Sequence, residues 1–370
     1  MKISLSLKTN IKAIKEIIAV AKRKKTPDYL SFVHVDCVVV GADRFVRLSA
    51  TDLETTITHK LVDCDFVGDA SFSTLIHHDA LAKLLPTYKT IDIIDDKIKA
   101  GQAEITHQIL DSRDYADILN DIQGIKGQES AYALTDDDII ELRTALSTAL
   151  IASSNEESRV RLCSVYLSTN EEGFLIATAT DGHRLTIYKT GIKTSLNALL
   201  PKCQVPLLCD VLNGNFDVKI WATKSMLYVS RGQDFILAVR LIAEDFPDTS
   251  RIIPKNNEYL ITFNSAHLFS IKEALLFAQD KAGAGITLKH QKEGNKLFIS
   301  LKDANTTGLT YESKDEGFSN SDYSICFSPK YLLDALQNTP TMLAGPSEFS
   351  PVLCIEETGK IMNILMARRG

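Results

Sequence analysis

Residues 10–23 read Asn-Ile-Lys-Ala-Ile-Lys-Glu-Ile-Ile-Ala-Val-Ala-Lys-Arg, and the fold follows from the way this stretch returns twice along the chain. Apolar Ile11, Ile14, Ile18 and Ala21 recur at i, i+3, i+7 and i+10, the spacing of one helical face, while Lys8, Lys12, Lys15 and Lys22 fall on the other faces. The stretch predicts an amphipathic helix with a cationic outer side. A second copy begins at Thr135–Asp138, a capping signal ahead of Ile139, Leu142, Leu146 and Leu150. A third opens at Ser265 and carries Leu268, Ile271, Leu275 and Ala278. The three starts, at Asn10, Asp136 and Ser265, divide the chain almost evenly.

A second helix per copy keeps this register: His78–Leu85, Lys202–Leu212 and Pro329–Leu336 each follow their first helix at a similar interval, the last with Ser328 as N-cap and Pro329 at the first helical position. Between the helices lie β-branched and alternating runs at 30–40, 45–58, 165–176, 185–189, 218–229 and 297–301. Each copy reads as strand, helix, strands, helix, strands, which is an α+β unit with helices on one face of antiparallel sheet. The polar stretches near residues 124–128 and 254–257 place boundaries at 1–129, 130–257 and 258–370. Closer matches support duplication. Ala50-Thr51-Asp52 corresponds to Ala179-Thr180-Asp181, and Asp114-Tyr-Ala-Asp117 to Asp245-Phe-Pro-Asp248, each one repeat further along the chain.

Composition narrows the classes of function. At 370 residues, 45% apolar and 24% charged, the chain is an ordinary globular protein long enough for two or three domains. No stretch approaches the roughly 20 apolar residues of a membrane span, and residues 1–4 open no signal peptide, so a cytoplasmic location without a membrane partner is expected. Seven cysteines (Cys37, Cys64, Cys163, Cys203, Cys209, Cys326, Cys354) without a C-x-x-C pair read as reduced packing residues. The net charge is −6, yet residues 1–25 hold eight Lys or Arg and one Glu, a local +7 that leaves −13 for the remainder. An acidic protein with one concentrated basic element can meet a polyanion if that element is presented and the acidic surface turned away.

Asp181-Gly182-His183-Arg184-Leu185 is the segment that invites an enzymatic reading, because Asp and His two apart could be an acid–base pair or two metal ligands. The repeat argues against it: Asp52 occupies the same place with no histidine after it, so both aspartates read as turn residues bonding their own backbone. What is distinctive is Gly182–Leu185. No phosphate loop, dinucleotide fingerprint, zinc-protease helix or nucleophile elbow is present, no cofactor is expected, and Gly283-Ala-Gly285 lacks the context of a phosphate site. Adjacent His77-His78 open a helix and read as capping or solvent-facing residues. The Lys22-Arg23-Lys24-Lys25 run could be no more than a solvated helix end. Together with Lys12 and Lys15, and with Arg143, Arg159, Arg161 and Lys202 at matching places in the second copy, it reads as a phosphate-facing, sequence-blind surface.

The three repeats, Ala50-Thr-Asp-Leu-Glu54, Ala179-Thr-Asp-Gly-His-Arg-Leu185, and Asp245-Phe-Pro-Asp248 followed by Arg251-Ile-Ile-Pro-Lys255 together resemble the bacterial sliding clamps, the beta subunits of DNA polymerase III, over all 370 residues. The resemblance implies a DNA clamp fold: two chains joined head to tail in a ring, helices lining a central hole and antiparallel sheets outside. Double-stranded DNA would thread the hole without sequence readout, and the chain would be a non-catalytic processivity factor. It also implies a pocket between the second and third domains for short motifs of the polymerase III catalytic subunit, the clamp loader and repair proteins. Matching positions are Leu162, Thr180, Gly182, His183, Arg184, Leu185, Pro247, Arg251, Ile252, Tyr331, Pro351, Ile364 and Met366. Leu162, Leu185, Pro247, Ile252 and Met366 would give an apolar slot, with Arg184 and Arg251 as donors. The same matching puts Ile105, Leu275 and Leu276 at the homodimer interface. Departures are the tail Met366-Ala-Arg-Arg-Gly370, where the family has a Met-Pro-Met-Arg-Leu-like end, Ser164 where glycine is typical, and the loop around Asp28. An enzyme using Asp181 and His183, or a monomeric peptide-binding scaffold, are the competing readings.

Overall fold

A computed structural model of the chain describes residues 2–23, 26–106, 115, 130–213, 217–255, 257, 259–277, 284–291, 293, 296–302, 309–314, 322–345 and 347–368. Lys24, Lys25 and Ala278 lie outside the described residues, as do the segment 107–114 and the last two residues of the tail.

Six α-helices are described: α1 (Ile11–Ala21), α2 (His78–Leu84), α3 (Asp136–Leu150), α4 (Val205–Val211), α5 (Ser265–Phe277) and α6 (Pro329–Leu336). They fall two to each predicted repeat. Helix α3 opens with a reciprocal cap: Asp138 N–H donates to Thr135 Oγ1 at 3.2 Å and Thr135 N–H to Asp138 Oδ2 at 2.9 Å. Helix α5 begins at Ser265, as the sequence suggests, with a cap of the same kind. His267 N–H donates to Asn264 Oδ1 and Asn264 N–H to His267 Nδ1, so Asn264 is the cap and Ser265 the first helical residue. The apolar face of α1 is rotated from the predicted one. Ile14, Ile17, Val20 and Ala21 are buried, whereas Ile11 is exposed and Ile18 half-buried. The i, i+3, i+7 count had no place for an inward-turned charge, and Glu16 sits inside that buried face.

Three of the six predicted β runs are divided by turns, whereas 185–189 and 297–301 each fall within one strand, Arg184–Lys193 and Lys296–Lys302. Residues 45–58 form the hairpin Asp43–Thr51 and Thr55–Lys60, residues 165–176 fall into Ser164–Thr169 and Phe174–Thr180, and residues 218–229 into Val218–Ala222 and Met226–Arg231. Residues 28–31, at the head of the first predicted run, make a 3-10 turn ahead of strand Phe32–Val40.

The described residues gather into two compact units, 1–139 with 207–241 and 140–206 with 242–370. In the first, an eight-stranded sheet runs in the order Tyr132–Leu134, Val218–Ala222, Met226–Arg231, Phe235–Arg240, Thr55–Lys60, Asp43–Thr51, Phe32–Val40, Phe72–His77. A five-stranded sheet accompanies it, with Ala103–Thr106 at one edge. In the second, another eight-stranded sheet runs Ala198–Pro201, Ser164–Thr169, Phe174–Thr180, Arg184–Lys193, Ile361–Leu365, Val352–Ile355, Thr341–Ala344, Tyr259–Thr262, beside a four-stranded one. Each described pairing is antiparallel, as expected. The sheets do not stop at the repeats: Phe235–Arg240 pairs with Thr55–Lys60, and Arg184–Lys193 with Ile361–Leu365.

The first junction carries a buried charge cluster. Glu16 of α1 is 8% exposed and Arg231 7%. Arg231 Nη2 donates to Glu16 Oε2 at 2.5 Å, His59 Nε2 lies 2.8 Å from the same oxygen, and the guanidinium stacks 3.8 Å from the Phe235 ring. Burial alone pushes the Glu16 carboxyl up, but the His59 hydrogen bond and the Arg231 charge more than offset this and hold it below its ordinary value. Burial lowers His59, which donates Nε2–H as the neutral ring despite the opposing pull of Glu16. Both shifts act in one direction. A depressed carboxylate adds stability above its unfolded pKa that is lost as pH falls through the folded one. A depressed histidine costs stability once pH drops below roughly 6.5, where only the unfolded chain takes up the proton. Denaturant unfolding of the unit 1–139 with 207–241 is therefore expected to weaken from pH 7 to pH 5, and His59→Gln, which keeps a neutral donor, to flatten that slope. Arg231→Ala, leaving Glu16 buried without its cation, is expected to cost about 3–5 kcal/mol in the same measurement.

Candidate functional site

The repeated Ala-Thr-Asp segments form the same turn. Asp52 Oδ1 accepts from Glu54 N–H at 3.0 Å and Thr55 N–H at 2.6 Å; Asp181 Oδ1 accepts from His183 N–H at 2.9 Å and Arg184 N–H at 3.0 Å. Thr51 Oγ1 accepts from Leu53 N–H, and Thr180 Oγ1 from Gly182 N–H, both at 3.1 Å. The residue after the aspartate takes positive φ in both, 72° at Leu53 and 92° at Gly182. Glycine adopts that conformation without strain, and a leucine does so at a cost. At Gly182 the space is also filled, since an added Cβ would stand 2.8 Å from Arg159 Nη2.

Where the copies differ is Arg184. Its Nε donates to Asp181 Oδ2 at 3.0 Å, Nη1 to Asp334 Oδ2 at 2.7 Å and Nη2 to the Ile151 carbonyl at 2.5 Å. Its guanidinium lies 4.3 Å from the Tyr331 ring centre, and the His183 ring stacks with that tyrosine at 6.5 Å. Burial, followed by the Asp181 carboxylate, raises the Tyr331 phenol above its usual pKa. Asp181 thus has two backbone N–H groups and a guanidinium on its carboxylate. It serves as a turn clamp, in the place where an acid–base partner for exposed His183 would need a free oxygen.

Beside this lies an apolar cluster on the joined sheets. Leu185 and Ile364 face each other in register and pack with Ile187 and Leu353, and Ile252 closes over them half-buried. Met366 N–H donates to the His183 carbonyl at 2.9 Å, which holds the chain end against the turn, and the Met366 side chain is 38% exposed. Leu162 and Thr180 are buried, Pro247 and Pro351 half-buried, and Arg251 extends into solvent at 89% with Asp248 3.7 Å away. A cleft of about 540 Å³ opens next to Arg184, walled by Ile151, Asn155, Lys202, Pro206, Lys330 and Asp334 among others. The thirteen positions all belong to the unit 140–206 with 242–370, Leu185 fully buried in it and Met366 part-exposed. The local pattern gave no sign of Ile151, a partner of Arg184, and for its other partner Asp334 the cue was its place one helical turn from Tyr331.

The cationic positions have differing surroundings. Lys15, Lys22 and Arg161 are exposed. Lys12 Nζ donates to the Asn213 carbonyl at 2.5 Å, and Arg23 Nη1 sits 3.6 Å from Asp52. Arg159 donates to the Asp181 carbonyl at 3.2 Å, Arg143 is half-buried, and Lys202 donates to the Ser154 carbonyl at 2.6 Å and to Asn155. Ile105 lies on the edge strand Ala103–Thr106, all four residues of which are exposed; Leu275 is half-buried and Leu276 79% exposed at the end of α5.

Residues 138–248 match the family model described as the central domain of the DNA polymerase III beta subunit. The chain is similar to the beta sliding clamp of Bacillus subtilis (strain 168), 22% identical over 366 residues spanning 91% of this chain and 90% of that one. It is similar to that of Caulobacter vibrioides at 24% over 380 residues, 96% of each. Among solved structures it matches Caulobacter crescentus pol III beta with a TM-score of 0.85 at 19% identity. It matches the DNA polymerase III subunit beta of Pseudomonas aeruginosa with 0.84 at 20%, each match covering 100% of both chains. The resemblance expected from the sequence is borne out, and the fold is that of the bacterial clamps.

Arg184→Lys keeps the charge but loses the fork that spans Asp181, Asp334 and Ile151. It is expected to cost about 1–3 kcal/mol in denaturant unfolding, whereas Lys330→Ala on the same cleft should change little.

Proposed function

We propose that this chain is a sliding clamp that encircles double-stranded DNA and tethers replication proteins to it, without catalysing a reaction. The observation that supports it most is full-length correspondence with clamp structures, together with a fold in which sheets run from repeat to repeat. In this reading the three clamp domains are 1–129, 130–257 and 258–370, two chains close head to tail through Ile105, Leu275 and Leu276, and the helices face the hole. Leu276, largely exposed on a helix end, and the strand Ala103–Thr106, an edge among the described residues, are the kind of surface a second copy covers. Lys12, Lys15, Lys22, Arg23, Lys24, Lys25, Arg143, Arg159, Arg161 and Lys202 are assigned to phosphate. The exposed Lys15, Lys22 and Arg161 are the readiest contacts, since Lys202 and Arg159 already bond carbonyls of their own chain. Loose phosphate contacts suit sliding, because topology supplies retention.

The partner-binding pocket is assigned to the cluster around Leu185, Ile252, Ile364, Met366, Arg251 and Tyr331. Its expected occupants are short apolar motifs of the polymerase III catalytic subunit and the clamp loader. Leu185 and Ile364 are wholly buried, so a peptide would rest on Ile252 and Met366, with Arg251 free to take a carboxylate or backbone carbonyl.

Two measurements test this reading. Once loaded, the protein is expected to stay on a nicked circular plasmid and to be lost from the same plasmid linearised; equal loss from both would rule out topological retention. Met366→Ala is expected to weaken binding of an apolar motif peptide by about 2 kcal/mol, the loss of one buried anchor, read by fluorescence anisotropy. Unchanged affinity would place the pocket elsewhere.

A further inference from the structure

A cavity of about 510 Å³ opens on the eight-stranded sheet of the unit 1–139 with 207–241, and all of its lining belongs to that unit. Strand alternation decides which side chains reach it. His59 turns to Glu16 of α1, so its neighbours Thr58 and Lys60 turn to the opposite face of the sheet. Phe45 and Arg47 share that face, alternating with buried Val46 and Leu48. Ser230, Ile236 and Thr58 stand side by side on three adjacent strands, and Trp221 of Val218–Ala222 completes the wall.

Two donors in this wall are unmet. Trp221 is 1% exposed and stacks on Tyr228 at 5.2 Å, but its Nε1–H, shielded from solvent, has no acceptor among the described residues. Arg47 spends Nη2 on Asp36, and its Nε–H, equally shielded, has no acceptor there either. Indole and guanidinium N–H groups only donate. An enclosed donor left unmade costs more than an ordinary hydrogen bond contributes, so two of them on one cavity mark where acceptors are wanted. Charge is not what the site lacks. Arg47 is paired with Asp36, Lys60 lies 3.4 Å from Asp234, and Asp43 adds a further carboxylate, so an anion would gain little. With Phe45 and Ile236 as apolar wall, the complement is an uncharged body bearing carbonyl acceptors.

We propose that this cavity binds a short extended peptide with apolar side chains, whose backbone carbonyls accept from Trp221 Nε1 and Arg47 Nε. An extended backbone offers such acceptors at regular intervals without charge, and its side chains alternate toward and away from the wall. The volume falls in the range of about 300–1000 Å³ usual for ligand pockets. The site is distinct from the pocket assigned around Leu185, which belongs to the other unit, and it stands whether or not the chain encircles DNA. The rival is a hydrated hollow with no saturable occupant.

Trp221 is the only tryptophan of the chain, so its fluorescence reads this cavity directly. The full chain is titrated with N-acetyl-leucyl-phenylalanine amide, an uncharged apolar peptide, up to the solubility limit of the peptide. Emission of the wild type is expected to change saturably. Arg47→Lys keeps the charge beside Asp36 but removes the Nε–H, and half-saturation should need on the order of fivefold more peptide, the weight of one hydrogen bond. Phe45→Ala, at a half-buried position, should shift it in the same direction. Met366→Ala, in the other unit, should leave it at the wild-type value. No saturable change in the wild type, a midpoint that neither Arg47→Lys nor Phe45→Ala moves, or one that Met366→Ala moves, overturns the proposal.

Discussion

An antiparallel sheet ends in two rows of unpaired N–H and C=O groups, and a chain made of repeated half-sheets multiplies those edges. Here the repeats remove edges by sharing them. Thr55–Lys60 would be an edge of the first repeat without Phe235–Arg240 of the second, and Arg184–Lys193 an edge of the second without Ile361–Leu365 of the third. The remaining arrangement depends on these two seams. Each fixes the register in which helices and turns of different repeats meet, and each carries a concentrated polar cluster: Glu16, His59 and Arg231 at the first, Arg184, Asp181 and Asp334 at the second. The two polar clusters differ in kind. The first is sealed, with both charges below a tenth exposed. The second lies beside an open cleft with an exposed arginine nearby.

Much of this was legible in the sequence. Helix positions followed from the spacing of apolar residues, caps from Thr135 and Asp138, and the shared turn from the matching aspartates Asp52 and Asp181, because these are local effects of propensity and side-chain–backbone bonding. The seams were not legible, since pairing between residues 55–60 and 235–240 leaves no local trace. Neither was the inward turn of Glu16. A glutamate amid lysines on a helix reads as surface, and only His59 and Arg231, far along the chain, reverse that. The exposure of Ile11 has the same origin, because the helix rotates to bury Glu16 and Ile17.

The turn shows how duplication separates scaffold from function. In both copies the aspartate satisfies two backbone N–H groups and the next residue takes positive φ. The first copy holds Leu53 there, with its strain, and the second holds Gly182. Three positions after the aspartate the first copy has Thr55, which continues the hairpin and accepts from Arg23 Nη1 at 3.4 Å within its own repeat. The second has Arg184, which reaches Asp334 on α6 and the carbonyl of Ile151 at the end of α3. One substitution in a duplicated turn thus ties together elements of two repeats.

That tie changes what Arg184 can do. Each of its nitrogens already has an acceptor and its face is taken by Tyr331, so recruiting it to a peptide would require breaking a bond that the fold uses. A guanidinium saturated in this way acts through what it holds: it fixes the ring of Tyr331, which positions His183, whose carbonyl in turn anchors the backbone of Met366. Arg251 has no such duties. At 89% exposure, with one carboxylate 3.7 Å away, it can turn toward an incoming carbonyl or carboxylate at the cost of side-chain entropy alone. The two arginines, equal as donors in the sequence, divide in the structure into one bound on every nitrogen within its own unit and one that extends into solvent.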